Sequence, residues 1–282
     1  LDAAGREIAL VLDAYHFISN PGVYAAVAFL LEHCPRTFHL VIASRSDPPL
    51  PLARLRARGQ TVELRAADLR FTESESAQFL NDVMGLHLDA PAVTLLEERT
   101  EGWIAGLQMA ALSMRDRKDV FAFIEGFSGT NRYILDYLIE EVLNRQSEEV
   151  QHFLTQTSIL EQLCGPLCAA LVDEHRLDAQ DVLRYLESSN LFLIPLDQQR
   201  YWYRYHHLFA DLLRKRLAQS GPEAIRELHR RATGWYEQNG LVPQAIHHAF
   251  QMQDWRRAAA LVAQITEELW GRGEHATLLG WM

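Results

Sequence analysis

Lysine is nearly absent from this 282-residue sequence: it occurs at Lys118 and Lys215 alone, and arginine carries the remaining positive charge. Neither lysine closes a glycine-rich run, so there is no Gly-x-x-x-x-Gly-Lys-Ser/Thr loop. With that loop goes the nest of backbone N–H groups that cradles a nucleotide β-phosphate. The three cysteines, Cys34, Cys164 and Cys168, are too few and too scattered for a disulfide framework. No apolar run approaches the ~20 residues that span a bilayer. Residues 1–6 lack the basic region and apolar core of a secretory signal, so the expected compartment is the cytoplasm. A net charge of −10 excludes a broad nucleic-acid grip, which needs a positive face. Two basic clusters, Arg54-Arg56-Arg58 and Arg214-Lys215-Arg216, read first as solvated helix faces.

What is present suits a multidomain, mainly α chain, with 48% apolar and 23% charged residues. In residues 1–70, the continuous apolar runs Ile8–Leu12 and 38–43 flank a helix-length stretch over 23–33. This pattern predicts buried central strands of a parallel sheet. Thr61-Val62-Glu63-Leu64 is expected to add a third strand. Three strands with one crossover make half of a doubly wound domain, so the other half, with its phosphate loop, is expected before Leu1. Residues 71–157 turn helical, opened by a capping box at Thr72 and Glu75. Over 158–217, two short helices precede apolar segments at 191–196 and 201–205 around the polar turn 197–200, and a basic helix follows. That is the outline of a winged helix. Residues 218–282 are helical, and their small-and-aromatic spacing resembles the start of a helical-repeat arm.

Two charged residues end the first two strands. Asp13 follows Ile8–Leu12 at the carboxyl end, where doubly wound folds place ligands, and a carboxylate there can hold Mg²⁺ beside nucleotide phosphates. It reads equally as a turn residue. Arg45 occupies the corresponding place after the second strand, suited to a bidentate grip on phosphate or to a surface ion pair. Other candidates are weaker. Cys164, Cys168 and His175 have the wrong spacing for zinc and read as packing thiols. His247-His248 on a helix reads as one exposed and one packed imidazole. Ser113, Ser128 and Ser158 lack a nucleophile elbow. No catalytic triad is visible.

The ordered set Leu10–His16, Val41–Arg45, Leu52–Gln60, Glu101–Gln108, Asp136–Leu143, Tyr205–Phe209 and Ala245–Ala249 covers the length of the chain. With it, the sequence resembles the MalT-like large ATP-binding LuxR-type transcription regulators of the STAND class of signalling ATPases. The resemblance implies ATP/ADP and Mg²⁺ as cofactors of the parent protein, bound poorly or not at all by this chain without a phosphate loop. It implies Asp13 as the magnesium carboxylate and Arg45 as the arginine that reads the terminal phosphate. Gly102 and Trp103 would lie by the adenine, where Ile104 replaces the family's proline, and His206 would touch the β-phosphate in a closed form. Ala14 stands where the family has a second acid, which removes the group that would position attacking water. The implied partners are the N-terminal phosphate loop, a C-terminal sensor and helix-turn-helix that contacts DNA, a small-molecule inducer, and further copies of the protein on activation, with no membrane. The competing reading is a nucleotide-independent winged-helix and helical-repeat module for protein or DNA binding.

Overall fold

The computed structural model describes residues 7–35, 37–114, 123–124, 126–129, 131–172 and 178–271. The chain divides into two compact units, one of residues 1–70 with Tyr185–Leu191, the other of Phe71–Arg184 with Phe192–Met282.

The first unit contains β1 (Ile8–Leu12), a 3-10 turn Tyr15–Phe17, α1 (Pro21–His33), β2 (Phe38–Ile42) and α2 (Leu52–Ala57). The β-branched and leucine-rich runs pair in parallel, Ile8 opposite Phe38 through Leu12 opposite Ile42. Helix α1 starts where its composition says it should: Asn20 accepts from Gly22 N–H, and Pro21 takes the first helical position. Two expectations are corrected. Thr61–Leu64 is not a strand; it is irregular, with Val62 91% and Leu64 71% exposed. Glu63 instead binds Arg56 and Arg65, which holds this stretch in a side-chain ion network rather than a ladder. Nor are the strands buried: Val11 is 62% and Val41 50% exposed. Among the described residues the sheet has two strands and lacks the covering layers that would bury both faces.

The second unit begins with α3 (Glu73–Gln78), continued by a π-helical turn Phe79–Val83. Its start carries the expected capping box, with Thr72 accepting from Glu75 N–H and Glu75 accepting from Thr72 N–H. Then follow α4 (Ala90–Thr100), α5 (Ile104–Met114), α6 (Arg132–Tyr137, with a π-helical continuation Leu138–Leu143) and α7 (Glu148–Thr157). Leu80, Leu96, Leu107, Leu138 and Leu154 of these helices are completely buried.

Next come α8 (Gly165–Leu171), α9 (Ala179–Ser188), the antiparallel pair β3 (Leu193–Pro195) and β4 (Tyr203–Tyr205), and α10 (His207–Leu217). This is a winged-helix order. The strands are shorter than 191–196 and 201–205. The ladder passes Pro195 with one more bond, Leu196 N–H to Trp202 O at 2.8 Å, and there the Asp197 carboxylate gathers the Tyr201 and Trp202 amides into the turn. Leu163 bridges Tyr203 on the other edge of β4. Three helices close the unit: α11 (Pro222–Gln238), α12 (Val242–Gln251) and α13 (Trp255–Gly271), where Ala232, Ala245 and Ala249 allow close helix approach.

Candidate functional site

Asp13 and Arg45 both lie in the first unit, just past the carboxyl ends of β1 and β2. The two chain ends are stitched together: Ala43 N–H donates to Leu12 O at 2.9 Å, and Tyr15 N–H donates to Ala43 O at 3.0 Å. Ala14 adopts left-handed backbone with φ 53°, and its N–H donates to Asp13 Oδ1 at 2.7 Å. The carboxylate therefore also serves as a turn acceptor, and it stays exposed. Arg45 is exposed; its N–H reaches His16 Nδ1 at 3.4 Å, and its carbonyl accepts from Asn190 Nδ2 at 2.7 Å. One exposed acid and one exposed arginine thus follow the two strand ends. They suit a magnesium ion and a phosphate in part, because the glycine-rich cradle such a phosphate needs is absent from this sequence.

Gly102, Trp103 and His206 meet in the second unit although 104 positions separate Gly102 from His206 in the sequence. Helix α4 ends at Thr100, and the chain turns through Glu101 and Gly102, both left-handed with φ 50° and 69°. The Gly102 carbonyl accepts from Phe71 N–H at 2.9 Å, which fixes the turn to the start of the unit. The Trp103 ring then lies along α5 at Gly106, where a Cβ would come within 2.7 Å of its Cε3. From the other side it meets Phe192 (centroids 5.0 Å apart), Tyr137 (5.5 Å) and the His206 ring (6.1 Å).

His206 is buried between β4 and α10, and both ring nitrogens are engaged. Nε2 lies 2.9 Å from Thr100 O, so it donates there; Nδ1 accepts from Leu208 N–H at 3.3 Å and caps α10. These two bonds set the Nε2–H tautomer. His207, by contrast, is exposed.

Glu101 and Arg204 carry no role in the sequence analysis, yet they form a bidentate charged pair at this joint. Arg204 holds Glu101 with both guanidinium nitrogens, at 2.7 and 2.8 Å, and His207 N–H adds a third bond at 3.2 Å. Burial alone would raise the Glu101 carboxyl; the Arg204 hydrogen bonds, neighbouring positive charge and the His207 amide outweigh it and bring the carboxyl down to about 2. The only sequence signal was a charged residue inside the aromatic strand Tyr201–Tyr205.

The other candidates resolve as structural. Cys164 and Cys168 are buried free thiols, both raised above the ordinary thiol value chiefly by burial. His175 lies outside the described residues. His248 is packed and His247 exposed, as expected. The partner of His248 went unforeseen: His229 Nδ1 lies 2.8 Å from His248 Nδ1, with Tyr236 stacked on the His248 ring. Burial first, and then His247, pushes His229 down to about 4; burial, His229 and His247 push His248 down to about 3. The basic clusters are tied into the fold, Arg54 to Glu32, Arg214 to Ser158 O and Arg216 to Gln151. No helix of the described residues is long and apolar enough to cross a membrane.

Comparison with known proteins gives the same outline. Residues 139–225 match the MalT winged helix domain family, a range wider on both sides than 158–217. The serine/threonine-protein kinase PknK of Mycobacterium tuberculosis (strain ATCC 25618 / H37Rv) is 37% identical over 272 residues, 96% of this chain and 24% of the kinase. The HTH-type transcriptional regulators MalT of Vibrio parahaemolyticus and Klebsiella pneumoniae are 32% and 33% identical over 97% of this chain and 30% of each regulator. The chain therefore spans about a quarter to a third of the length of these relatives. With a MalT winged helix at residues 139–225 and similarity to MalT along nearly its whole length, the chain belongs to the MalT-like family.

Proposed function

We propose that this chain is the switch segment of a MalT-type regulator, a nucleotide-controlled coupling unit rather than the part that contacts DNA or transfers phosphate. The observation that carries the reading is the convergence of Gly102, Trp103 and His206 on one joint between α4 and the winged helix. The names of the relatives support it: the same stretch occurs in proteins called a kinase and HTH-type transcriptional regulators, which suits a shared control segment attached to different outputs. ATP or ADP with Mg²⁺, when bound, supplies the phosphate charge to be read. Asp13 would hold the magnesium ion, Arg45 the terminal phosphate, and Trp103 would offer its ring to the adenine. His206 would reach the β-phosphate only by giving up Thr100 O or its cap on α10, so nucleotide and the bond seen here compete for one side chain. Release of the winged helix would then free the regulator to self-associate and act through its DNA-binding part under an inducer.

The test is nucleotide binding followed by fluorescence of a labelled ADP, in this chain and in a longer protein that carries a phosphate loop. The 282-residue chain should show no micromolar affinity, and the longer protein should lose ADP retention on His206→Ala but not on His207→Ala. Equal retention in both variants favours the second reading, a nucleotide-independent interaction module, for which the engagement of both His206 nitrogens within the protein is the supporting observation.

A further inference from the structure

The turn after α4 combines two features that packing alone does not require. Glu101 is a non-glycine residue in left-handed backbone, φ 50°, a conformation that costs strain and persists where surroundings over-determine it. Its carboxylate is 8% exposed and faces Arg204 at 28%. Taking both charges out of water carries a desolvation penalty that an apolar pair of like volume would avoid. Packing at this joint is already provided by Trp103, Phe192 and Phe209. A desolvated ion pair set beside such a cluster is best suited to specifying one arrangement against another.

We propose that Glu101 and Arg204 form a charge latch between the end of α4 and the winged helix, with Glu101 the positioning residue for His206. Glu101 holds β4 through the Arg204 fork and the start of α10 through the His207 amide. These are the residues on either side of the His206 ring, so the latch keeps Nε2 on Thr100 O. Opening the pair releases the first turn of α10 and the ring together. Two imidazoles also face the carboxylate: the buried His206, a positive charge on which would favour the ionised form, and the exposed His207 ring, with Nε2 3.7 Å from Glu101 Oε1. The consequence for nucleotide rests on the switch reading above; the latch itself does not.

The experiment uses the 282-residue chain without nucleotide. Hydrogen exchange is followed at residues 100–103 and 203–210, and the His206 ring by nitrogen chemical shifts. Glu101→Gln keeps the shape and removes the charge; Arg204→Lys keeps a charge and loses the fork. Glu101→Gln should speed exchange at the start of α10 by about tenfold to a hundredfold, the size of a lost charged hydrogen-bond partner. It should also let the ring leave the Nε2–H tautomer, while α11 and α12 exchange as before. Arg204→Lys should show the same local pattern at smaller amplitude. Unchanged exchange at α10, or an equal rise throughout the unit, overturns the latch. If Glu101→Gln does not fold, Arg204→Lys decides by the same criterion. A latch that behaves as stated in a protein whose longer form ignores nucleotide sinks the switch reading alone; the reverse result sinks the latch alone.

Discussion

The two units answer the same kind of sequence differently. β1 and β2 are largely apolar, yet Val11 and Val41 are exposed, and among the described residues of 7–70 Tyr15 is the one buried side chain. In the second unit, helices with more polar residues bury one apolar face: Leu96, Leu107, Leu154 and Phe209 are at 0% exposure. Apolar composition is thus a demand for cover, and only a second layer meets it. The helical and winged-helix segments bring their layers with them, since each helix packs on its neighbours. A parallel sheet does not, because both of its faces need helices or further chain.

The largest effect that can sharpen this contrast comes from one deletion in each unit. Phe209 is fully buried against Phe192 and Tyr205, so Phe209→Ala should cost about 3–5 kcal/mol. Val41→Ala, on an exposed strand face, should stay within about 0.5 kcal/mol. Denaturant unfolding of the two variants measures both, and comparable losses would mean that the sheet is covered in solution.

Next in size is the response to acid. His229 and His248 have folded-state values depressed to about 4 and 3, from about 6.5 when unfolded. With depressed values, the pair's contribution is complete above pH 6.5 and is lost as pH falls toward the folded values, because the unfolded chain binds protons that the buried pair refuses. Between pH 7.5 and 5 the loss should be about 2–4 kcal/mol for the pair, confined to the second unit. Glu101, with its carboxyl at about 2, adds its own loss only below about pH 4.5, so between pH 7.5 and 5 the histidine pair acts without it. Thermal unfolding of the parent and His248→Gln across this range tests the assignment; an unaltered slope in the variant counts against it.

How much of this was legible in the sequence follows from the range of the interactions involved. Features set within four or five residues read directly: the Thr72–Glu75 capping box and one packed histidine in His247-His248; the helix read over 23–33 begins two residues earlier, at Pro21. The hairpin lies where the apolar segments put it, with strands shorter than 191–196 and 201–205 because Asp197 draws Tyr201 and Trp202 into the turn. Thr61–Leu64 had strand composition, yet no strand among the described residues pairs with it and Glu63 is taken by arginines. The pairs that escaped notice, Glu101 with Arg204 and His229 with His248, lie far apart in sequence, and no local spacing records them. His206 became a candidate through family resemblance; its bond to Thr100 O appears only in three dimensions.

The adjacent histidines give a smaller and more local comparison. His206→Ala removes the α10 cap and the bond to Thr100 O, and should cost about 1–2 kcal/mol in this chain without nucleotide. His207→Ala leaves its backbone N–H on Glu101 and removes an exposed ring, so it should fall within about 0.5 kcal/mol. Equal losses measured by thermal unfolding would show that the buried ring is not the one holding the joint.

The smallest effect is expected from the ion pairs of the first unit, and it separates structural arginines from nucleic-acid contacts. Arg54 meets Glu32 at 2.7 Å, with the side chains 50% and 44% exposed. In contrast to Arg204, whose carboxylate partner is nearly sealed from water, Arg54 sits in high dielectric, where attraction is weak and salt screens it. Ordering two long side chains offsets most of what remains. Arg54→Ala should therefore change stability by no more than about 0.5 kcal/mol, and the difference should shrink further at high salt. The same variant should leave retention of duplex DNA unchanged, because a chain of net charge −10 offers the phosphates no broad positive face. Unfolding at low and high salt, together with a salt series of DNA retention, reads both quantities. A salt-dependent drop in DNA retention on Arg54→Ala would return the Arg54-Arg56-Arg58 cluster to the list of nucleic-acid contacts and would give the first unit a binding surface that its ion pairs do not suggest.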